Sequence, residues 1–301
     1  GVSKIRKIHG CNLTYAGSRV KRPLVRIPFC SPTRILSRKF LGDCSVAQKE
    51  PNPYTGLMES LTDQVALVVG GSSGIGLGVV KALANEGMRV MLASRNPVAP
   101  ADWNADPSTT GKIQSLRCDA TDRDQVGAMV QQVQHLWGEI DLLVYSAGMN
   151  VPKRTFADMA PESMAQVMDV NALGAYYCME AVLPSMRSRK RGLIVNVVSL
   201  AGLRPLGLAG LPYCASKYAQ SAIGHVANAE VLPEGVSVTN IYPGETETPI
   251  LEKRPVPPSP EQRARMLQPE DIAAMVVTVA KLPARATVPE IVITPRHMPL
   301  V

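Results

Sequence analysis

Aromatic side chains are scarce in this 301-residue chain, at 4% of its residues. Single-stranded nucleic acid is held largely by bases stacked on aromatic rings, so this composition argues against such a platform. No apolar run approaches the roughly 20 residues that a membrane-spanning helix needs, and we expect no transmembrane segment. The six cysteines include no Cys-x-x-Cys pair and no cluster with the four histidines. This spacing argues against a metal site and a disulfide framework, and favours a reducing compartment.

Acidic residues are absent from the first 42 positions, which contain ten Lys and Arg side chains. The other 259 residues contain 22 basic and 25 acidic side chains, so the net charge of +7 comes from the N-terminal segment. Residues 1–55 also lack helical or alternating periodicity and contain five prolines. We predict that they form a basic extension without a core of its own, and that residues 56–301 form one domain.

The basic, hydroxylated and acid-poor composition of residues 1–55 is typical of a transit segment for a mitochondrion or plastid. Two other interpretations stay open, namely a leader without a mechanistic role and an arm that anchors the domain in a homo-oligomer or larger complex. Specific nucleic-acid binding is not expected, because only this arm could bind phosphates and the acidic remainder has nothing to read bases.

Short apolar runs alternate with amphipathic stretches from residue 64 onward. The predicted strands are residues 65–69, 89–93, 113–116, 140–145, 193–198, 236–242 and 291–294. Near-continuous apolar strands separated by helices are typical of a parallel sheet that is covered on both faces. The predicted fold class is therefore α/β, a doubly wound parallel sheet of the Rossmann type in a single domain.

A glycine-rich loop follows the first predicted strand and reads Gly-Gly-Ser-Ser-Gly-Ile-Gly from Gly70 to Gly76. Such a loop leads into a helix whose free N–H groups face a dinucleotide pyrophosphate, and the glycines allow a tight turn, close backbone approach and helix packing. The predicted cofactor contacts of this loop are Gly70, Ser72, Ser73, Gly74, Ile75 and Gly76. From this motif alone, a glycine turn without a ligand stays open.

The second predicted strand leads into Ser94 and Arg95. An acidic side chain at position 94 would bind a ribose 2′-hydroxyl and repel a 2′-phosphate, whereas Ser followed by a guanidinium can hold that phosphate. The pair therefore favours NADP(H) over NAD(H). The alternative is that Arg95 is a solvated surface charge.

Tyr213 and Lys217 stand four residues apart in Pro-Tyr-Cys-Ala-Ser-Lys. On a helix they share one face, and a lysine there is expected to lower the pKa of the tyrosine and adapt it to proton transfer. A bare Tyr-x-x-x-Lys pair is also common on exposed helices. The glycine loop about 140 residues upstream gives this pair its context.

The glycine loop and the Tyr213–Lys217 pair together resemble the short-chain dehydrogenase/reductase family over residues 57–296. The resemblance implies that Ser199, fourteen residues before Tyr213, holds the substrate oxygen. It also implies that Asn171 retains a water linked to Lys217 and completes a proton relay. The implied catalytic residues are Asn171, Ser199, Tyr213 and Lys217, with no metal.

The resemblance also implies further cofactor contacts: Ser94, Arg95, Asp119, Ala120, Ala147, Gly148, Tyr213, Lys217, Pro243, Gly244, Thr246 and Thr248. Asp119 corresponds to the acidic residue at the adenine edge, and the segment from Pro243 shields the nicotinamide. The chain departs from the family where Val69 replaces a threonine, and where Tyr145 and Ser146 replace two asparagines.

The predicted function is NADP(H)-dependent reduction of a carbonyl to an alcohol, or the reverse. The nearly apolar loop 200–212 predicts a medium-sized carbonyl substrate such as a 3-oxoacyl group, or else a surface that packs on a neighbouring subunit. Residues 250–267 fall where family members have a mobile lid, and the ending 289–295 resembles members that act on hydroxy acids or varied carbonyls. The alternative is a structural accessory subunit of an organellar assembly that retains the nucleotide-binding fold. The presence of Ser199, Tyr213 and Lys217 together favours the enzyme, because a structural role does not require them.

Overall fold

The computed structural model describes residues 60–99 and 112–298. The predicted extension, residues 1–55, lies outside these ranges, so the domain boundary and the role of the arm stay predictions.

Seven strands of the described residues form one sheet. They are β1 (Val65–Val69), β2 (Arg89–Ser94), β3 (Ile113–Arg117), β4 (Leu142–Tyr145), β5 (Gly192–Val197), β6 (Val236–Pro243) and β7 (Glu290–Ile293). Their order is β3-β2-β1-β4-β5-β6-β7, and every neighbouring pair is parallel. The predicted parallel sheet is confirmed. The limits of each predicted strand lie within two residues of the observed limits, which is the usual uncertainty in where a strand ends.

Helices connect the strands on both faces of the sheet. They are α1 (Gly74–Asn85), α2 (Arg123–Trp137), α3 (Pro161–Met168), α4 (Gly174–Arg189), α5 (Leu211–Val231), α6 (Pro260–Arg263) and α7 (Pro269–Ala280). A π-helical turn, Asp169–Leu173, joins α3 to α4, and a 3₁₀ turn, Pro249–Lys253, follows β6. Within the described ranges, no helix is both long enough and apolar enough to cross a membrane.

The sheet separates two apolar cores, as strand β1 illustrates. Val65, Leu67 and Val69 pack against α2 and α4, whereas Ala66 and Val68 point to the opposite side and pack against α1 and α7. All five of these side chains are buried. Burial on both faces is the reason that the strand is an uninterrupted apolar run.

Strands β1 and β4 are neighbours at the centre of the sheet, and the strand order reverses between them. Ligands of doubly wound folds bind outside the carboxyl ends of the strands at such a reversal. Tyr145 ends β4 there, fully buried, and its hydroxyl donates to the carbonyl of Val170. Gly174 leaves room for this ring, because a Cβ at that position would stand 2.3 Å from the Tyr145 oxygen. The fold thus accommodates a tyrosine where the family has an asparagine.

Candidate active site

Gly70 joins β1 to the glycine loop at a place where no other residue fits. Its φ is +84°, and a Cβ there would stand 2.5 Å from the backbone nitrogen of Ala147. The Gly70 N–H donates to the carbonyl of Ala93 at the end of β2, at 2.8 Å. The loop is therefore fixed to both neighbouring strands, as the tight turn predicted from the sequence requires.

The other two glycines of the motif set the start of α1. Gly74 has φ +51°, and a Cβ at Gly76 would stand 2.1 Å from the carbonyl oxygen of Gly70. The first turn of α1 contains no acidic residue, and the side chain of Ser73 makes no capping hydrogen bond. The N–H groups of this turn are therefore available to an anion, which the helix dipole also favours.

A groove of about 570 Å³ lies at the carboxyl ends of the strands. The predicted residues that line it are Gly70, Ser72, Ser73, Gly74, Ile75, Ser94, Arg95, Asp119, Ala120, Ala147, Gly148, Tyr213, Lys217 and Thr248. Gly76 is buried against the carbonyl of Gly70. Pro243, Gly244 and Thr246 line an adjoining cavity, and Thr248 lines both.

Ser94 and Arg95 lie in this groove just after β2. The Ser94 hydroxyl oxygen is buried and has no hydrogen-bond partner in the protein. Leaving a buried hydroxyl unpaired costs about 1–3 kcal/mol, so the position suits a ligand oxygen. Arg95 is exposed, and it takes part in none of the ion pairs among the described residues. Its guanidinium is therefore available to a phosphate.

Asp119 lies in the same groove after β3. Its carboxylate accepts hydrogen bonds from the backbone nitrogen and the hydroxyl of Thr121, at 3.0 and 2.8 Å. This turn within the loop fixes the carboxylate where the resemblance places the adenine edge.

Tyr213 and Lys217 lie in the first two turns of α5, which begins after Gly210 with Pro212 in its first turn. The Lys217 ammonium nitrogen stands 5.7 Å from the centre of the Tyr213 ring. The Ser199 side chain lies beside Tyr213 and lowers the pKa of the tyrosine by its hydrogen-bonding influence. The Ser199 hydroxyl also accepts from the backbone nitrogen of Ala201 at 3.1 Å. Three of the four predicted catalytic residues therefore meet at one point.

Burial changes the acidity of both residues of the pair. It raises the pKa of Tyr213 to about 12, and the hydrogen bond from Ser199 opposes this rise only in part. Burial also lowers the pKa of Lys217 to about 7. In the protein without cofactor this is the opposite of the lowering expected from Lys217 and a bound oxidised nicotinamide, because removal of the phenolate from water dominates. Tyr213 keeps its proton at neutral pH.

Asn171, the fourth predicted catalytic residue, lies in the π-helical turn with its side chain fully buried. It accepts from the Met149 nitrogen at 2.8 Å and donates to the Met149 carbonyl at 3.0 Å and the Ser216 hydroxyl at 2.9 Å. A Cβ on Gly148 would lie 3.6 Å from the Asn171 oxygen and 3.7 Å from the Lys217 nitrogen. Asn171 thus fixes the loop after β4 beside Lys217, and its hold on a water stays a prediction.

A second cavity, of about 400 Å³, opens beside Tyr213 and Ser199. Its apolar wall includes Leu206 and Leu208, as the apolar loop 200–212 predicts. Arg154 was not predicted from the sequence. Its guanidinium donates to the carbonyls of Leu208 and Lys253 and so joins the apolar loop to the turn Pro249–Lys253. Other lining residues without a sequence signal are Asn150, Glu245, Arg254 and Met298.

Known proteins resemble this chain over most of its length. The family model described as short chain dehydrogenase matches residues 64–257. An uncharacterised oxidoreductase of Staphylococcus saprophyticus is 33% identical over 241 residues, which are 79% of this chain and all of that protein.

Two solved structures share the fold. A metagenomic short-chain oxidoreductase in complex with NADP is 27% identical with a TM-score of 0.66, over 78% of this chain and 98% of that one. The actinorhodin polyketide ketoreductase with NADPH is 27% identical with a TM-score of 0.65, over 76% of this chain and 95% of that one. These matches agree with the doubly wound parallel sheet. The chain therefore belongs to the short-chain dehydrogenase family of oxidoreductases.

Proposed function

We propose that the chain is an NADP(H)-dependent enzyme that reduces a carbonyl compound to an alcohol. The observation that carries this proposal is the position of Tyr213, which lines both the 570 Å³ groove and the 400 Å³ cavity. Carbonyl reduction needs a nucleotide on one side of a proton donor and a carbonyl group on the other. The two adjoining spaces meet this requirement.

The groove fits a phosphorylated dinucleotide on several independent grounds. The first turn of α1 offers unpaired N–H groups, the Ser94 hydroxyl lacks a partner, and Arg95 is free to bind a 2′-phosphate. The two solved relatives described above contain NADP or NADPH. NADPH, when bound, supplies the hydride for the carbonyl carbon.

The side chains of this protein supply the proton and the orientation. Tyr213 donates its hydroxyl proton to the carbonyl oxygen and regains a proton from solvent, and its raised pKa keeps it in the donor form at neutral pH. Ser199 lines the same cavity as Tyr213 and offers the carbonyl oxygen a second hydroxyl. Lys217 places a positive charge beside Tyr213 in the fraction of molecules in which it is protonated.

The 400 Å³ cavity supports a medium-sized, largely apolar carbonyl substrate. Loop 206–209 contributes apolar side chains and backbone. The polar lining comes from Asn150, Arg154, Ser199, Tyr213, Glu245, Thr246, Thr248 and Arg254. The similarity to a polyketide ketoreductase favours a 3-oxoacyl type of substrate within this class.

The test is Tyr213→Phe, assayed by NADPH consumption with a panel of ketones and 3-oxo esters. We expect the rate to fall by about 10²–10⁴, the usual contribution of a general acid. NADPH affinity should change little, because the ring stays in place. Tyr218→Phe, an exposed tyrosine on the same helix, is the matched control and should be fully active. Activity of Tyr213→Phe within about tenfold of the parent would remove Tyr213 from the mechanism.

A further inference from the structure

A chain of buried amides begins at Lys217 and runs beneath α5. The Lys217 ammonium donates to Oε1 of Gln220 at 2.7 Å, and Nε2 of Gln220 donates to Oδ1 of Asn196 at 2.5 Å. Nδ2 of Asn196 then donates to Oδ1 of Asn240 at 2.9 Å. Gln220 and Asn196 are 0% exposed and Asn240 is 1% exposed. We call these three residues the amide ladder.

The ladder ends at the edge of the sheet. Nδ2 of Asn240 donates to the hydroxyl of Tyr242 at 3.2 Å, and this hydroxyl contacts Nε2 of His225 at 2.8 Å. The same His225 nitrogen lies 2.8 Å from the carboxylate of Glu290 on β7. A continuous polar path therefore joins the candidate active site to a histidine–carboxylate pair that is partly exposed.

The backbone brings the ladder together. Asn196 of β5 is directly opposite Asn240 of β6 in the parallel register, and Gln220 is one helical turn after Lys217. Gly224 makes room for the last amide, because a Cβ there would stand 2.1 Å from Oδ1 of Asn240.

The orientation of every amide in the ladder is determined. A backbone carbonyl can only accept, so Nε2 of Gln220 must face the Val197 carbonyl and Oε1 is left to face Lys217. The second hydrogen of each amide nitrogen also has a carbonyl partner: Val197 for Gln220, Gln220 for Asn196 and Ser221 for Asn240. Along this chain of hydrogen bonds, each amide oxygen is therefore on the Lys217 side and each amide nitrogen is on the far side.

This order presents an amide oxygen to a buried cation and fixes it there through two further amides. Lys217 is 3% exposed and has no carboxylate partner among the described residues, so its ammonium depends on Gln220 and the Val197 carbonyl for hydrogen bonds. In such a site an oriented dipole acts strongly, because little water screens it. A Gln220 amide that turned over would present its hydrogens to the cation, and the rest of the ladder prevents this turn.

We propose that Gln220 is a positioning residue that holds the Lys217 ammonium beside Tyr213 and favours its charged form, with Asn196 and Asn240 fixing the orientation of Gln220. The importance of this charge for catalysis rests on the proposed function. The effect on Lys217 itself does not depend on a substrate or cofactor.

The groups that face Lys217 come from three elements. Tyr213 is the titratable neighbour on α5, β5 contributes the Val197 carbonyl, and the π-helical turn contributes Asn171. Tyr242, His225 and Glu290 lie at the far end of the ladder. The direct effect of Gln220 on Lys217 is therefore separable from these ionisations by single substitutions.

The test measures protonation of Lys217 by NMR in the full chain, with lysine labelled at Cε and Nζ. The Lys217 signal is identified by its loss in Lys217→Met. A hydrogen bond to a charged group contributes enough for Gln220→Met to lower the Lys217 midpoint by about one to two pH units. Gln220→Glu should raise the midpoint, because a carboxylate replaces the amide oxygen. Asn196→Val should lower it by a smaller amount, since the Gln220 amide is then free to turn.

Tyr218→Phe, an exposed change on α5 outside the ladder, is the control and should leave the midpoint where it is in the parent. An unchanged midpoint in both Gln220 variants would overturn the proposal, as would shifts of the same sign. An unchanged midpoint in Asn196→Val would overturn the role of the ladder beyond Gln220. If Gln220→Met does not fold, the opposite shift in Gln220→Glu still decides. Failure to bind NADPH would contradict the proposed function and leave these results intact.

Discussion

Gly70 approaches Ala147 so closely that a Cβ on Gly70 would stand 2.5 Å from the Ala147 nitrogen. This contact joins the loop after β1 to the loop after β4, the two strands between which the strand order reverses. The two loops can approach this closely because the first position after β1 has no side chain.

Gly70→Ala should therefore destabilise the protein by at least about 2 kcal/mol, since a left-handed φ alone costs an alanine about 1–2 kcal/mol and a clash with backbone adds to it. Urea unfolding followed by circular dichroism measures the change. Gly127→Ala is the matched control, because Gly127 is within α2 and a Cβ there meets nothing within 4 Å. We expect this variant to gain up to about 1 kcal/mol. Equal stability of the two variants would contradict the steric argument.

Arg95 should determine the choice between the two nicotinamide cofactors. A charge-assisted bond to the 2′-phosphate contributes about 1.5–3 kcal/mol, so Arg95→Ala should weaken NADPH binding roughly ten- to hundredfold. NADH affinity should stay the same, because NADH lacks that phosphate. Titration of both cofactors into the parent and the variant measures this difference. Arg285→Ala, which removes an exposed arginine outside the groove, should change neither affinity. Equal NADH and NADPH affinities of the parent would show that Arg95 does not contact the cofactor.

Burial of Lys217 should make stability depend on pH in one direction. Its pKa is about 7 in the folded protein, against an ordinary value of 10.5. Between these values the unfolded chain binds more protons than the folded protein, so the free energy of unfolding rises with pH. The difference in this energy between the parent and Lys217→Met should rise by about 1.4 kcal/mol per pH unit in the middle of this range. Because the other titrating groups are the same in both proteins, their contributions cancel in the difference between the two free energies of unfolding. A flat difference would show that Lys217 titrates as it does in solvent.

The sequence was sufficient to predict the strands for a physical reason. In β1 every side chain is buried, so the strand is an apolar run with clear ends. β7 lies at the sheet edge and is partly exposed, and its predicted limits were off by one residue at each end. The glycine loop and the Tyr213–Lys217 pair were predictable because their chemistry depends on local spacing along the chain.

Features that depend on register or burial could not be predicted in this way. Asn196 and Asn240 are 44 residues apart and face each other only through the pairing of β5 with β6. An asparagine within the apolar run of β5 was the one local signal, since a buried amide requires partners. The raised pKa of Tyr213 likewise depends on the surrounding protein, whereas the sequence shows only the lysine four residues on.

The basic N-terminal arm should be separable from the catalytic domain. The glycine loop, the Ser199–Tyr213–Lys217 cluster and all seven strands of the sheet lie beyond residue 60. Residues 1–42 combine ten positive charges with no acid, a composition suited to organelle import or to an acidic partner or anionic lipid surface. Deletion of residues 1–50 should therefore leave NADPH affinity and the thermal midpoint within experimental error of the parent. Cofactor titration and calorimetry of both proteins measure these quantities.

A second variant separates the charge of the arm from its length. Replacing all ten Lys and Arg residues of positions 1–42 by Gln should abolish import or partner binding as completely as the deletion does, because the attraction is electrostatic. Localisation of both variants in cells and their elution on gel filtration provide the measurements. Retained import of the Gln-substituted arm would contradict an electrostatic role. A deletion variant that unfolds or loses NADPH would show that the arm is part of the catalytic domain. Release of a still active enzyme from a larger complex would identify the arm as an anchor.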